Sequence, residues 1–227
     1  MTGFYTREND KETQADIGAV ADILKGERRN IEFGGYKWRV LDKQDNMALL
    51  LTEDIIETRP YNMEDAGVTW ESCTLRQYLN SEFIGRFSAQ ERMIILETTN
   101  INPNNPWYDT RGGNNTNDKA FLLSIDEVVK YFGDSGQMKN ERLEKDGYIS
   151  DEYSNERVGK YDDIGAWWWL RSPGHSSDLA AYVHDDGELI IYGSIVYYAD
   201  VGVRPVFWLN LEIENIKHEL ESEDKTI

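Results

Sequence analysis

Three histidines, one cysteine and 42 carboxylates are the side chains that could carry chemistry in this chain of 227 residues. Cys73 is a candidate nucleophile, since a thiolate attacks electrophilic centres. It sits in an apolar helical pattern, where a lone cysteine behaves as a small core residue. His175, His184 and His218 give no HExxH or His-x-His spacing. One cysteine excludes an internal disulfide framework and a cysteine-rich zinc site. Asp178, Asp185, Asp186, Glu188 and Asp200 are the hard oxygens a Ca²⁺ ion would want, but their spacing is not that of an EF-hand loop. Turn chemistry explains Asp186-Gly187 without an ion, and neither a metal nor a cofactor is expected. No GxGxxG or Walker sequence is present, and Gly34-Gly35 reads as a hairpin turn. The Arg111-Gly112-Gly113 run is loop in an acidic protein.

The segment 175–201 is the least explicable by core logic. From Ser172 to Val203 there is no Lys or Arg, although the chain carries 24. Tyr182, Tyr192, Tyr197 and Tyr198 stand there with His175, His184, Ser177, Ser194, Asp178, Asp185 and Asp200. Such a mixture resembles a paratope, in which Tyr offers a large amphipathic contact and Ser and Asp adapt their hydrogen bonds. The competing account is a packed hairpin whose polar side faces out. Both can hold, because a strand has two faces.

The net charge of −18 repels nucleic-acid phosphates and anionic membranes, so neither is an expected partner. The polar start, MTGFYTRENDKETQAD, lacks the apolar stretch of a signal peptide, and no run approaches membrane-spanning length. A cytoplasmic protein is expected, with signal-less export or packaging in a phage particle left open.

The elements around the insert are readable. Residues 1–12 read as disordered, and Ile17, Val20, Ala21 and Leu24 recur at helical spacing before Gly26. Ile31 and Phe33, then Trp38 and Val40, predict two strands, and Ala48–Leu51 a third. Leu75, Tyr78, Leu79 and Phe83 mark a helical stretch over 73–86. Ser88/Glu91 and Ser124/Glu127 are capping boxes, the first before Met93, Ile94 and Leu96, the second before Val128, Val129 and Phe132. Residues 100–119 read as loop throughout, 121–123 as strand-like, and 133–165 as a surface excursion. Strands are expected at 167–170, 180–183, 189–191, 195–198 and 203–209, and the tail 212–227 is charged. In the first of these, Trp167 and Trp169 share one face and Trp168 takes the other. Strands at both ends with helices between predict one α+β domain.

Several stretches carry a resemblance. They are WWWLRSPG at 167–174, GVRPVFWLNL at 202–211, IEFGGYKWRVLD at 31–42, TWESCTLRQYLN at 69–80, the run 97–124 and KYFGDS at 130–135. Together they resemble a bacterial domain family of unassigned function related to the C-type lectin fold, in the branch shared with formylglycine-generating enzymes. The resemblance implies antiparallel sheets with two or more flanking helices and long loops. It divides the chain into an N-terminal piece (1–29), a C-type lectin-like domain (30–211, with the insert 175–201) and a tail (212–227).

Proteins of this branch serve as variable proteins of diversity-generating retroelements, in which a reverse transcriptase makes errors at template adenines and the copy replaces the 3′ part of the gene. Asn codons then scatter into Tyr, His, Asp, Ser, Ile, Val, Leu and Ala. The implied contact residues are His175, Ser177, Asp178, Leu179, Tyr182, His184, Asp185, Ile191, Tyr192, Ser194, Ile195, Tyr197, Tyr198 and Asp200. Trp167, Trp168, Trp169, Arg171, Arg204 and Trp208 would be scaffold, with Arg204 paired to a carboxylate.

Formylglycine-generating enzymes need a C-terminal cysteine pair, and the only cysteine here lies far upstream. Calcium lectins of the fold need Glu-Pro-Asn or Gln-Pro-Asp with Trp-Asn-Asp, and these are missing. The expected function is therefore non-enzymatic binding of a protein or other cell-surface ligand. The alternatives are an enzyme using the loop at 100–119, and an interaction module of a phage or secretion assembly.

Overall fold

The computed structural model describes Ile23, residues 30–139 and residues 147–212. The expected disordered start, the periodic helix before Gly26 and the tail beyond residue 212 fall outside the described residues, apart from Ile23, which is buried.

Alternating Ile31, Phe33 and Trp38 put one face of a hairpin into the core. Strands β1 (Asn30–Phe33) and β2 (Tyr36–Gln44) are joined at Gly34 and Gly35, whose φ values of 58° and 75° suit glycine. Strand β3 (Met47–Thr52) follows with its Ala48–Leu51 run buried. Strand β4 (Glu57–Thr58) then leads toward helix α1 (Thr74–Tyr78), a π turn (Leu79–Phe83) and a 3₁₀ turn (Ile84–Arg86). The predicted stripe of Leu75, Tyr78, Leu79 and Phe83 is buried along these three pieces.

Both capping boxes form. Ser88 opens α2 (Ala89–Ile94), and Ser124 opens α3 (Ile125–Phe132), which stops at Gly133 with φ 95°. Strand β5 (Ile95–Leu96) replaces the expected last turn of α2, because Ile95 pairs with Leu209 and Leu96 with Trp208. The stretch read as loop contains a short ladder of β6 (Thr98–Asn100) and β7 (Thr116–Asp118). Phe121 makes a single bridge to Val206.

The region expected to be a surface excursion also builds structure. Strand β8 (Tyr148–Ile149) pairs with the insert, helix α4 (Ser154–Arg157) ends in a fully buried arginine, and β9 (Gly159–Tyr161) and β10 (Ile164–Ala166) form a hairpin.

The last strands are β11 (Trp168–Pro173), β12 (Leu179–Val183), β13 (Leu189–Ile195), β14 (Gly202–Val203) and β15 (Val206–Asn210). Residues 196–198, expected as strand, leave β13 as a turn closed by Tyr198 N–H to the Ile195 carbonyl (3.1 Å). The predicted strand over 203–209 is two strands in two sheets. A six-stranded sheet runs β4-β14-β11-β12-β13-β8, and a five-stranded sheet runs β1-β2-β3-β15-β5. Both sheets are antiparallel except where β11 meets β14. Arg204-Pro205 is the crossing between them.

That crossing corrects the expectation for Arg204. Its guanidinium is fully buried and donates to the Thr52 carbonyl (3.0 and 3.2 Å) and the Glu53 carbonyl (2.8 Å), not to a carboxylate. It lies 4.8 Å from the Trp168 ring centre. Burial, helped by the charge on Arg39, pulls its pKa down to about 9. The scaffold ion pair is made instead by Arg171 with Glu127.

Trp38, Trp70, Trp168 and Trp169 have no exposed surface. Burying each stabilises the fold by about 4–6 kcal/mol, at about 25 cal/mol per Å² and 150–250 Å² apiece, against a fully extended chain. The observed class is α+β.

Candidate functional site

The insert hangs on a frame that leaves its main chain little freedom. Every residue of β11 is buried. On one face Trp169 packs on Tyr61 and Tyr182, with centroids 5.8 and 6.3 Å away. Trp168 turns to the other side, toward Arg204, and gives its indole N–H to the Arg157 carbonyl (3.0 Å). Trp167 shares the Trp169 side, as alternation predicts, but it is only half-buried.

Two ring clusters form on this frame. In the first, Trp167 stacks on Tyr182 (4.9 Å, 27° between planes) and lies 5.0 Å from His184 and 6.1 Å from Tyr198. In the second, His175 stacks on Tyr192 (5.0 Å, 16°), and Tyr108 meets both rings edge-on at 4.7 and 5.9 Å. Asn105 positions this second cluster. Its amide donates to the carbonyls of Pro173 (2.8 Å) and Ile191 (2.9 Å), and its oxygen accepts from the N–H groups of Trp107 and Tyr108. Thr110 adds a bond to the His175 carbonyl (2.6 Å).

The turn between β12 and β13 carries the densest charge. His184 Nδ1 lies 2.7 Å from Asp185 and 2.9 Å from Asp186. Burial alone would raise the Asp186 carboxyl, but the Glu188 N–H and the His184 ring outweigh it and hold the group below the usual carboxylate range. Burial, reinforced by Asp185, Asp186 and Glu188, pushes the Tyr182 phenol up to about 12. Asp178 is held low by the Ser176 hydroxyl beside it. Among the described residues, His184, Asp186 and Glu188 bring one donor atom each within 4.8 Å of the others. The turn at Gly187 (φ 84°) accounts for that closeness.

The structure separates the candidate contacts. His175, Ser177, Asp178, Asp185, Tyr192, Ile195, Tyr197, Tyr198 and Asp200 are exposed. Leu179, His184 and Ser194 are half-buried, and Tyr182 keeps only 8 % of its surface. Ile191 is a correction: with Leu189 it faces the core and has no exposed surface. Trp208 is half-buried on β15. Of the five carboxylates considered for Ca²⁺, only Asp186 and Glu188 enter the donor group.

Tyr108 and Asn105 belong to the site although the sequence marks 100–119 only as loop and as the place of the alternative enzyme reading. The Asn-Pro-Trp-Tyr-Asp turn signal was present, but its contact with His175 crosses 67 positions of chain.

Three asparagines of the 100–119 loop and Cys73 have structural roles. Asn100, Asn102 and Asn105 in the loop proposed for an enzyme are buried and bonded. Cys73 caps α1, accepting from the Arg76 N–H, and burial pushes its thiol up to about 12. Native protein should therefore resist iodoacetamide at pH 8 and react fully in urea, as measured by mass shift. Rapid native labelling would contradict this burial.

No described helix is long and apolar enough to cross a membrane. No curated protein and no solved structure matches the chain. A family described as Domain of unknown function (DUF6273) matches residues 45–211. That span takes in β3, the Asn105 loop, the buried frame of β11 and the whole insert, and the chain belongs to the DUF6273 family.

Proposed function

We propose that this chain is a binding protein whose insert, 175–201, is a contact surface for a protein or other cell-surface ligand. The observation that carries the reading is a contrast between the frame and the insert. While β11 is wholly buried, Tyr192 and Ile195 on β13 and Tyr197 and Tyr198 in the turn after it stand 46 %, 38 %, 43 % and 40 % exposed. Tyr at a rigid surface supplies contact area at low entropic cost, and such anchors dominate interface energies.

The fold reading is C-type lectin-like. It is supported by β15, at the end of the domain, pairing with Met47–Leu51 of β3 near its start, with the helices and loops between. On that reading the insert is the diversified segment of a retroelement variable protein. Support comes from its residue set and from its place before the last strands.

Two experiments test this. A near-copy of the 3′ coding segment close to the gene, differing at adenines and accompanied by a reverse-transcriptase gene, is expected; absence of both ends the retroelement reading. The variant Y197A/Y198A should keep its stability within about 1 kcal/mol, because both rings are exposed, while losing its captured partners. An unchanged partner profile would count against the insert as contact surface.

A further inference from the structure

The first ring cluster lies inside a local excess of negative charge, and this gives the contact surface a preferred chemistry. His184 connects the two features. Its ring is 5.0 Å from the Trp167 ring, and its Nδ1 is within 3 Å of the Asp185 and Asp186 carboxylates. Two carboxylates thus sit one imidazole away from a half-buried indole. The Tyr182 ring, stacked on Trp167 at 4.9 Å, has its phenol raised first by burial and then by the carboxylates of Asp185, Asp186 and Glu188.

Among the described residues, cations on flanking elements are engaged elsewhere, and the exposed Lys160 of β9 acts on Glu53. Arg157 is buried against Asp151, and Arg59 is paired with Glu57 and lies over the Tyr78 ring. The stretch from Ser172 to Val203 contributes no Lys or Arg.

We infer that the patch of Trp167, Tyr198 and the His184–Asp186 turn takes an arginine-bearing segment of a partner protein. The inference rests on the reading of the insert as a contact surface. A guanidinium is flat, weakly hydrated and permanently charged, so it can lie on an aromatic face and bond to a carboxylate at once. A Lys ammonium matches the charge but not the flat face. A neutral sugar could use the rings and would ignore the carboxylates.

The test uses the full chain and two labelled peptides read by fluorescence anisotropy. One alternates arginine and glycine; the other has citrulline at each arginine position. The arginine peptide should bind, more weakly as salt is added. The citrulline peptide should bind at least about tenfold more weakly. D185N/D186N should weaken the arginine peptide about tenfold, and Y198A should weaken it too. E32Q/E82Q removes the same charge from exposed positions on other elements and should shift binding less than about twofold. Thermal melts establish that each variant is folded.

An equal loss in E32Q/E82Q would reduce the effect to bulk charge and overturn the inference. So would equal affinity for both peptides, no binding of either, or binding of a neutral oligosaccharide that D185N/D186N leaves unchanged. If Y197A/Y198A abolishes capture of natural partners while D185N/D186N does not, the insert stands as the contact surface and the arginine assignment alone fails.

Discussion

Asp118→Ala should destabilise the protein by about 3–5 kcal/mol, the scale of breaking a buried ion pair from one side. The Asp118 side chain is fully buried. Its Oδ2 accepts from the Trp70 indole (3.0 Å), the Asn100 amide (3.0 Å) and the Thr116 hydroxyl (2.7 Å), and its Oδ1 accepts from Arg76 Nε (2.6 Å). Asn80 adds a longer bond to Oδ1 (3.4 Å), and alanine takes this acceptor from all five donors. Arg76 is 24 % exposed and recovers water, but Trp70 and Asn100 cannot, at about 1–3 kcal/mol each. Urea unfolding should show a lower midpoint with an unchanged slope. A loss below about 1 kcal/mol would mean that these donors find other partners, and the account of this cluster would be wrong.

Arg171→Ala should come close behind, at about 3–4 kcal/mol. Arg171 is 4 % exposed, and its guanidinium joins three separate parts of the chain to β11. It donates to Asn102 Oδ1 (3.2 Å) and the Ile101 carbonyl (3.1 Å) on the loop, to the Leu122 carbonyl (2.7 Å), and to Glu127 in the first turn of α3. Alanine orphans buried carbonyls and releases the loop that carries Asn105 and Tyr108. Loss of near-UV circular dichroism from the Tyr108–His175–Tyr192 rings should therefore accompany the loss of stability. Arg171→Lys should recover less than half, since one ammonium cannot reproduce the planar fork. Full recovery by lysine would show that charge alone matters at this position.

What was legible in the sequence were the features that depend on neighbours along the chain. The β1–β2 hairpin follows from alternation around Gly34-Gly35, and both helices α2 and α3 begin at the serine their capping boxes name. Two-residue strands such as β5 and β8 have no period to read, and they exist because a distant partner passes by. Arg204 illustrates the same limit in energetic terms. A carboxylate partner is the sequence expectation, but its partners are main-chain carbonyls at Thr52 and Glu53, which no side-chain pattern announces. In the site, the exposure of Tyr197 and Tyr198 agreed with their polar company. Ile191 did not, and its period-two relation to Leu189 was the signal that it belonged to the core. Asn105 reaches two strands from a loop, so its role became visible only with the fold in place.

The insert is tied down by its main chain. Val68 N–H bonds to the Ser177 carbonyl (2.9 Å), Asn62 N–H to the Val196 carbonyl (2.9 Å), Val196 N–H to the Asp178 carbonyl (3.0 Å) and His175 N–H to the Tyr192 carbonyl (2.7 Å). Those groups are the same whatever side chain a residue carries. At the exposed positions Ser177 and Asp178 the fold therefore holds the bare peptide, while Val196, fully buried, is held by its side chain as well. Proline is the letter that stays forbidden at His175, Val196 and Tyr198, because there the amide hydrogen itself is the message.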